Sequence, residues 1–279
     1  LHTILLTAFA LIAFAANSIL CRMALGNGAI DPASFSTVRL VSGAVVLWLI
    51  VKAFPRAKAD KHPGSWWSAS MLFLYAMAFS FAYVSLNTGT GALILFGAVQ
   101  ATMITAGIIK GERPPILTWC GLLIALAGLV YLVLPGLEAP SFSGAALMTI
   151  AGFAWGVYSL RGLGVTNPVA VTADNFLRSV PLTVVVSLVL LSTLQLSLKG
   201  VLLAVLSGGL TSGIGYVVWY AALRHLAATR AAMLQLLVPI IAALGGVLML
   251  AEQITLRLVL AGILIMSGVG LTLVFRNRK

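Results

Sequence analysis

Residues 91–134 read GALILFGAVQATMITAGIIKGERPPILTWCGLLIALAGLVYLVL. Two uncharged apolar runs, 91–109 and 116–134, flank a short break holding Lys110, Glu112, Arg113 and the pair Pro114-Pro115. A helix that crosses a bilayer needs about 20 predominantly apolar residues, and each run has about that length. The break concentrates charge and turn chemistry, which the hydrocarbon core does not tolerate. The stretch therefore reads as two membrane spans joined by a short polar turn.

Working outward, runs of the same kind lie at 3–25, 33–53, 66–86, 143–163, 169–193, 200–223, 229–250 and 255–275. Together these predict an all-α integral membrane protein of ten transmembrane helices, forming a single transmembrane domain over 1–279. The joints carry Gly26-Asn27-Gly28, Asp31-Pro32, Pro55, Pro63-Gly64, Pro135-Gly136 and Asn167-Pro168. Those at 87–90 and 224–228 are weakly marked. Composition agrees: 61% of the 279 residues are hydrophobic and 8% charged, against roughly 25% charged in soluble domains. Too few polar side chains remain to cover a water-facing surface, so the lipid bilayer is the expected solvent. The first run carries Asn17, lacks a small-residue cleavage site, and reads as a mature helix rather than a signal peptide.

The net charge of +11 would point to nucleic acid in a soluble chain. Here the basic residues lie mostly between apolar runs, where they report orientation, and no nucleic-acid partner is expected. With the N-terminus in the cytoplasm, twelve fall on the inner side: Lys52, Arg56, Lys58, Lys61, Lys110, Arg113, Arg161, Arg224, Arg230, Arg276, Arg278 and Lys279. The other five, Arg22, Arg39, Arg178, Lys199 and Arg257, fall in spans or outer halves. This bias predicts a multi-pass protein of the cell (inner) membrane with both termini cytoplasmic.

The chain also resembles itself. Phe14-Ala15 and Arg22 match Phe153-Ala154 and Arg161 at one offset, and Pro32 recurs as Pro168. Glu112, followed by Gly121-Leu122-Leu123-Ile124, recurs as Glu252, followed by Gly262-Ile263-Leu264-Ile265. Residues 1–137 and 138–279 thus read as two five-helix repeats. Five is odd, so the second copy inserts upside down and Glu252 faces outward where Glu112 faces the cytoplasm. Inverted repeats of this kind build many secondary carriers, with the site near midplane between the halves.

Much catalytic chemistry is missing. The six acidic residues, Asp31, Asp60, Glu112, Glu138, Asp174 and Glu252, form no local aspartate pair. His2, His62 and His225 lie at helix ends or in loops, with no HExxH metal motif and no GxxxxGK[ST] phosphate loop. Cys21 and Cys120 sit in apolar runs as small fillers. No enzyme, metal or cofactor is expected. Asp174 is the one acidic residue inside a run, toward the inner end of 169–193, and Arg178 follows four residues later on the same helical face. Either the two form a structural pair, or Arg178 meets a substrate carboxylate. With so few deep carboxylates, transport without obligatory ion coupling is the expectation.

What is present is a set of rings and amides deep in the spans. Tyr75, Phe79 and Tyr83 recur every four residues; Phe96, Gln100 and Met103 share a face; Trp155 lies three residues before Tyr158. Tyr216, Trp219 and Tyr220 follow a small-residue run, Gln235 precedes Pro239 by one turn, and Asn17 is deep in the first run. Trp66, Trp67, Trp119 and Tyr83 suit the membrane interface as anchors. The mid-span groups either pack between helices or line an apolar cavity with sparse polar groups. In the second case the substrate-binding candidates are Asn17, Tyr75, Phe79, Phe96, Gln100, Trp155, Tyr158, Tyr216, Tyr220 and Gln235. Pro181, Pro239, Gly208, Gly209 and Gly213, with Gly215, are hinge candidates, because proline removes a helix bond and glycine permits close approach. Arg22 and Arg39, toward the outer ends of their runs, suit snorkelling and pairing with Asp31; an outer gate is the alternative, with nothing in the sequence to support it.

Several of these residues carry a resemblance. Tyr216, Tyr220-Ala221-Ala222-Leu223-Arg224, Pro239 and Glu252 resemble the last three helices of the EamA-type branch of the drug/metabolite transporter superfamily. Phe35-Ser36-Thr37-Val38-Arg39 and Glu112 extend the likeness into the first half. The resemblance implies a ten-helix carrier of two inverted repeats working by alternating access. The aromatic interior looks like that of bacterial aromatic amino acid exporters, implying an amino acid as the small-molecule substrate. One departure is Ala16-Asn17, where many relatives carry Trp-Gly; the sixth helix has Trp155-Gly156. A multidrug or cationic-compound exporter of the same fold, and a non-transporting membrane subunit, are the alternatives.

Overall fold

A computed structural model describes residues 2–54, 64–109, 111, 115–134, 136, 139–163, 165–226 and 234–276. The expected roles of Glu112, Arg113, Lys110, Glu138, the basic residues of 55–63, Arg230, Arg278 and Lys279 lie outside the described residues, as does the side chain of Arg276. The described elements are helices: α1 His2–Leu25, α2 Pro32–Ala53, α3 Trp66–Tyr83, α4 Thr88–Ile109, α5 Ile116–Val133, α6 Phe142–Arg161, α7 Pro168–Val189, α8 Leu198–Leu223, α9 Leu237–Leu250 and α10 Leu256–Arg276. Eight are long and apolar enough to cross a membrane, among the described residues. The other two are α3, whose Trp, Tyr and Ser lower its hydropathy, and the 14-residue α9. The ninth apolar run begins in the segment outside the description.

The helix starts follow from the turn residues. Asp31 and Asn167 are N-caps, each followed by a proline at the first helical position, and Asp31 accepts from the Ser34 N–H at 2.8 Å. Ser65, Ser141 and Ser197 cap α3, α6 and α8 in the same way. Each cap satisfies a backbone donor that would otherwise be stranded near the lipid. The weak joint after α3 falls at 84–87, earlier than the run implies, and α4 starts at Thr88. The cause is a cap from elsewhere: both carboxylate oxygens of Glu252 accept from Thr88 N, at 2.9 and 3.0 Å.

The outer surface is apolar. Leu248, Ile109, Phe142 and Ile116 are among many large hydrophobic side chains left exposed, a pattern that suits lipid and not water. Trp66, Trp67 and Trp119 belong to this surface. Tyr83 does not: it is fully buried, with its hydroxyl donating to Thr88 O at 3.2 Å, so the anchor reading is corrected for that ring.

Helix ends gather at two levels. At the Gly26 end, Arg22 reaches Tyr83 and Val84, Ser85 meets Ser141, Asp31 accepts from Gln195 N, and Arg257 donates to Leu134 O. At the His2 end, Arg161 donates to Ser65 and Ser68. Between these levels α2 packs on α7, α5 on α10 and α4 on α9; α6 lies against α3 and α4, and α1 against α8 and α9. The α5–α10 contact is close because Gly121 and Gly268 face each other's backbone, where a Cβ would collide.

Inside α8, residues Leu206–Ile214 form a π-helical stretch. There Ser207 donates to Asn17 Oδ1 at 2.6 Å, and Thr211 to the same oxygen at 3.4 Å. Gly208 lies against Arg39 O, closer than any Cβ allows. Pro181 sits within α7, whereas Pro239 occupies the first turn of α9, just after a break at Leu236. A proline there needs no helix donor.

Candidate functional site

Two adjoining chambers lie inside the bundle. The smaller, about 30 Å³, is lined by Phe14, Asn17, Ser18, Tyr75, Phe79, Leu95, Phe96, Trp155, Thr211, Ser212, Tyr216 and Gln235. The larger, about 250 Å³, is lined by residues that include Gln100, Met103, Trp155, Tyr158, Thr172, Asn175, Tyr216, Trp219, Tyr220 and Gln235. Trp155, Tyr216 and Gln235 border both. The ten residues singled out for a cavity thus all lie on one chamber or the other. Ser68, Arg161, Gly162, Leu163, Pro168 and Leu223 carry the larger chamber down to the His2 end.

Trp155 is the hub of the aromatic wall. Its ring stacks on Tyr216 (5.3 Å, 30°) and Tyr158 (5.5 Å, 27°), and leans on Tyr75 (4.9 Å, 44°). Four helices meet at this point: α3, α6 and α8 supply rings, and α1 adds Phe14, edge-on to Tyr216 and Trp219. Offset and edge contacts at these distances each add about 0.5–1.5 kcal/mol beyond area burial. The phenol of Tyr220 hydrogen-bonds Thr172 at 3.2 Å.

Polar groups converge on the smaller chamber. Asn17 Nδ2 donates to the Tyr75 hydroxyl at 3.4 Å while its Oδ1 is held by Ser207 and Thr211. Arg39 Nη2 donates to the same hydroxyl at 3.1 Å, and the guanidinium lies over the rings of Tyr75 and Phe79 at 5.2 and 5.0 Å. Arg39 is 1% exposed, and its Nε and Nη1 have no hydrogen-bond partner. The expected pairing of Arg22 and Arg39 with Asp31 is therefore corrected. Asp31 is spent on capping α2 and on Gln195 N, Arg39 is a deep charge, and Arg22 faces Glu252 at 3.5 Å. Arg39 is the site residue that the reading by position missed. The sequence offers only a weak local sign of it, the lack of an acidic residue within a helical turn on either side, which Arg22 and Arg161 share.

Asp174 and Arg178 pair with each other at 3.1 Å, with Arg178 over the ring of Trp66 at 5.6 Å. Neither lines either chamber. At the opposite end of the bundle, Arg22 donates to Tyr83 O (3.0 Å) and Val84 O (2.9 Å) while facing Glu252, which in turn caps α4. This cluster ties α1, the turn after α3, the start of α4 and the end of α9 together.

Residues 142–274 match the sequence model of the EamA-like transporter family. An uncharacterized protein of Pseudomonas aeruginosa is 47% identical over 272 residues, spanning 98% of this chain and 94% of the relative. The chain belongs to the EamA-like transporter family. The uncharacterized transporter YoaV of Bacillus subtilis, 24% identical over 273 residues, spans 92% of each chain. An uncharacterized transporter of Archaeoglobus fulgidus is 27% identical over 285 residues, 97% of this chain and 96% of its own. A solved crystal structure, 18% identical, shares the fold with a TM-score of 0.69 over 99% of both chains. The EamA-like chain is accordingly a multi-pass membrane transporter, and its two chambers lie where helices from both ends of the sequence meet.

Proposed function

We propose that this EamA-like transporter is a secondary carrier that exports amino acids, chiefly aromatic and hydrophobic ones, by alternating access around the two chambers. The observation that carries the reading is Trp155, stacked on Tyr216 and Tyr158 and leaning on Tyr75 at the junction of the chambers. A ring-lined space with a few amide and hydroxyl groups suits a small amphiphile.

The architecture in this proposal is ten spans in two inverted five-helix repeats, in the inner membrane with both termini cytoplasmic. It is supported by the packing pattern, in which the larger helix contacts have counterparts when helix n is exchanged for helix n+5. The contacts α3–α6 and α1–α8 exchange, as do α4–α6 and α1–α9, while α2–α7, α4–α9 and α5–α10 map onto themselves. In this orientation the larger chamber faces the cytoplasm, and the Arg22–Glu252 cluster closes the outer side. Neither lining contains a carboxylate among the described residues, which favours transport without obligatory ion coupling. The hinge roles of Pro181, Gly208, Gly209 and Gly213 belong to the same proposal, and that of Pro239 rests on the break at Leu236 just before its helix and not on a lost helix bond.

The test is counterflow in sealed liposomes holding the pure protein. Vesicles loaded with phenylalanine, tryptophan, alanine or an organic cation are supplied with the same labelled compound, without an ion gradient. Accumulation of the aromatic amino acids is expected. Movement of the cation alone would replace the reading with a cationic-drug exporter, and movement of nothing by folded protein would leave a non-transporting subunit.

A further inference from the structure

A guanidinium stays charged at every accessible pH, so Arg39 brings a permanent positive charge into the middle of the bundle. Its rewards there are incomplete. Two ring faces and one hydroxyl meet it, two of its nitrogens are unpartnered, and no ion pair to it occurs among the described residues. An intramembrane charge left in this state marks a ligand pathway by default.

The charge reaches the smaller chamber through Tyr75. The Tyr75 oxygen accepts from both Arg39 and Asn17, so its own proton remains to be donated, and no described residue accepts it. Tyr75 lines the smaller chamber, together with Ser212, whose buried hydroxyl also has no partner. Arg39 and Asn17 sharpen the Tyr75 O–H as a donor, since hydrogen bonds in series polarise one another. Two unspent hydroxyls backed by a cation form a site for an anion. The chamber, about 30 Å³, holds a small polar group rather than a whole amphiphile. The 250 Å³ space beyond Trp155 and Tyr216 takes the rest.

We infer that the smaller chamber is a carboxylate subsite, with Tyr75 and Ser212 as direct donors and Arg39 as the positioning charge behind them, and that the transported molecule enters carboxylate first with its apolar part among the rings. The inference rests on the carrier reading for the word "transported", but the subsite itself is a binding claim and is tested as one.

Three probes of one ring size separate the charges: phenylalanine, 3-phenylpropionate (a carboxylate without the amine) and phenylalaninamide (a cation without the carboxylate). Binding to purified protein is measured by calorimetry, and counterflow is measured in parallel. Phenylalanine and 3-phenylpropionate are expected to bind, and phenylalaninamide to bind at least about tenfold more weakly. Arg39→Gln is expected to weaken 3-phenylpropionate about tenfold or more, with Arg39→Lys recovering part of the loss. Tyr75→Phe, which keeps the ring and removes the donor, loses carboxylate preference. Trp119→Phe, on the lipid-facing surface, is the control for handling. Equal binding of the amide and the carboxylate, or Tyr75→Phe with unchanged preference, overturns the subsite; the second arm holds even where Arg39→Gln does not fold. Carboxylate binding that responds to these variants without counterflow would overturn the carrier reading and keep the subsite.

Discussion

Trp155 touches rings from two other helices, so its removal acts on the cavity more than on any single helix pair. In lipid, apolar burial gives little drive for helix association, and loss of the indole leaves helices that still pack through their small residues. Trp155→Ala and Tyr216→Ala are therefore expected to lower exchange about tenfold or more, on the scale of stacking energies summed over several contacts, while the protein still elutes as a folded species. Trp119→Ala, on an exposed indole, should exchange normally; the opposite ranking of Trp155 and Trp119 would place the working cavity on another face. Mid-span rings and amides at one-face spacing were readable from the sequence because the helical period alone decides which groups share a face. The Asp174–Arg178 pair was readable for the same local reason. Arg39 was not, since its partners are α3 rings and a hydroxyl far along the chain, and counting charge by position assigned it to an interface.

Elements show the same division between local and distant causes. The starts of α2 and α7 are written in Asp31-Pro32 and Asn167-Pro168, and they fold as read. The start of α4 is hidden, because its cap comes from Glu252, 164 residues away. The π-helical stretch of α8 is hidden as well. Its glycines are visible, yet the wide turn coincides with the contacts from Ser207 and Thr211 to Asn17 and from Gly208 to Arg39. Glu252 gives a test at this scale. Its side chain is 11% exposed and that of Arg22 21%, so their attraction is only partly screened by water. The same carboxylate accepts from Thr88 N–H, and a hydrogen bond to a charged group contributes roughly 1.5–3 kcal/mol. Glu252→Gln removes the charge while keeping the shape, and opens the Gly26 end more often. A cysteine placed at Ser18, in the smaller chamber, should then react with a membrane-impermeant thiol reagent supplied at that end about tenfold faster. An unchanged rate would show that the closure is held by something other than this cluster.

At the scale of the molecule, class and topology rest on different observations. The apolar runs and the scarcity of charge fix a membrane protein by solvent physics alone, and eight described helices meet the length and hydropathy that reading needs. Sidedness rests instead on basic residues, many of which lie in the loops outside the description, so the sequence count carries it. Described turns nevertheless provide the test. Gln195 lies beside Asp31 at the Gly26 end, whereas Leu163 borders the larger chamber at the His2 end, next to Arg161. In a background with Cys21 and Cys120 replaced by alanine, Gln195→Cys should be labelled in intact cells by an impermeant maleimide, and Leu163→Cys only after the membrane is opened. The reverse pattern would turn the carrier over: the larger chamber would then face outward, the Arg22–Glu252 cluster would close the cytoplasmic side, and net export would have to begin from the end now closed.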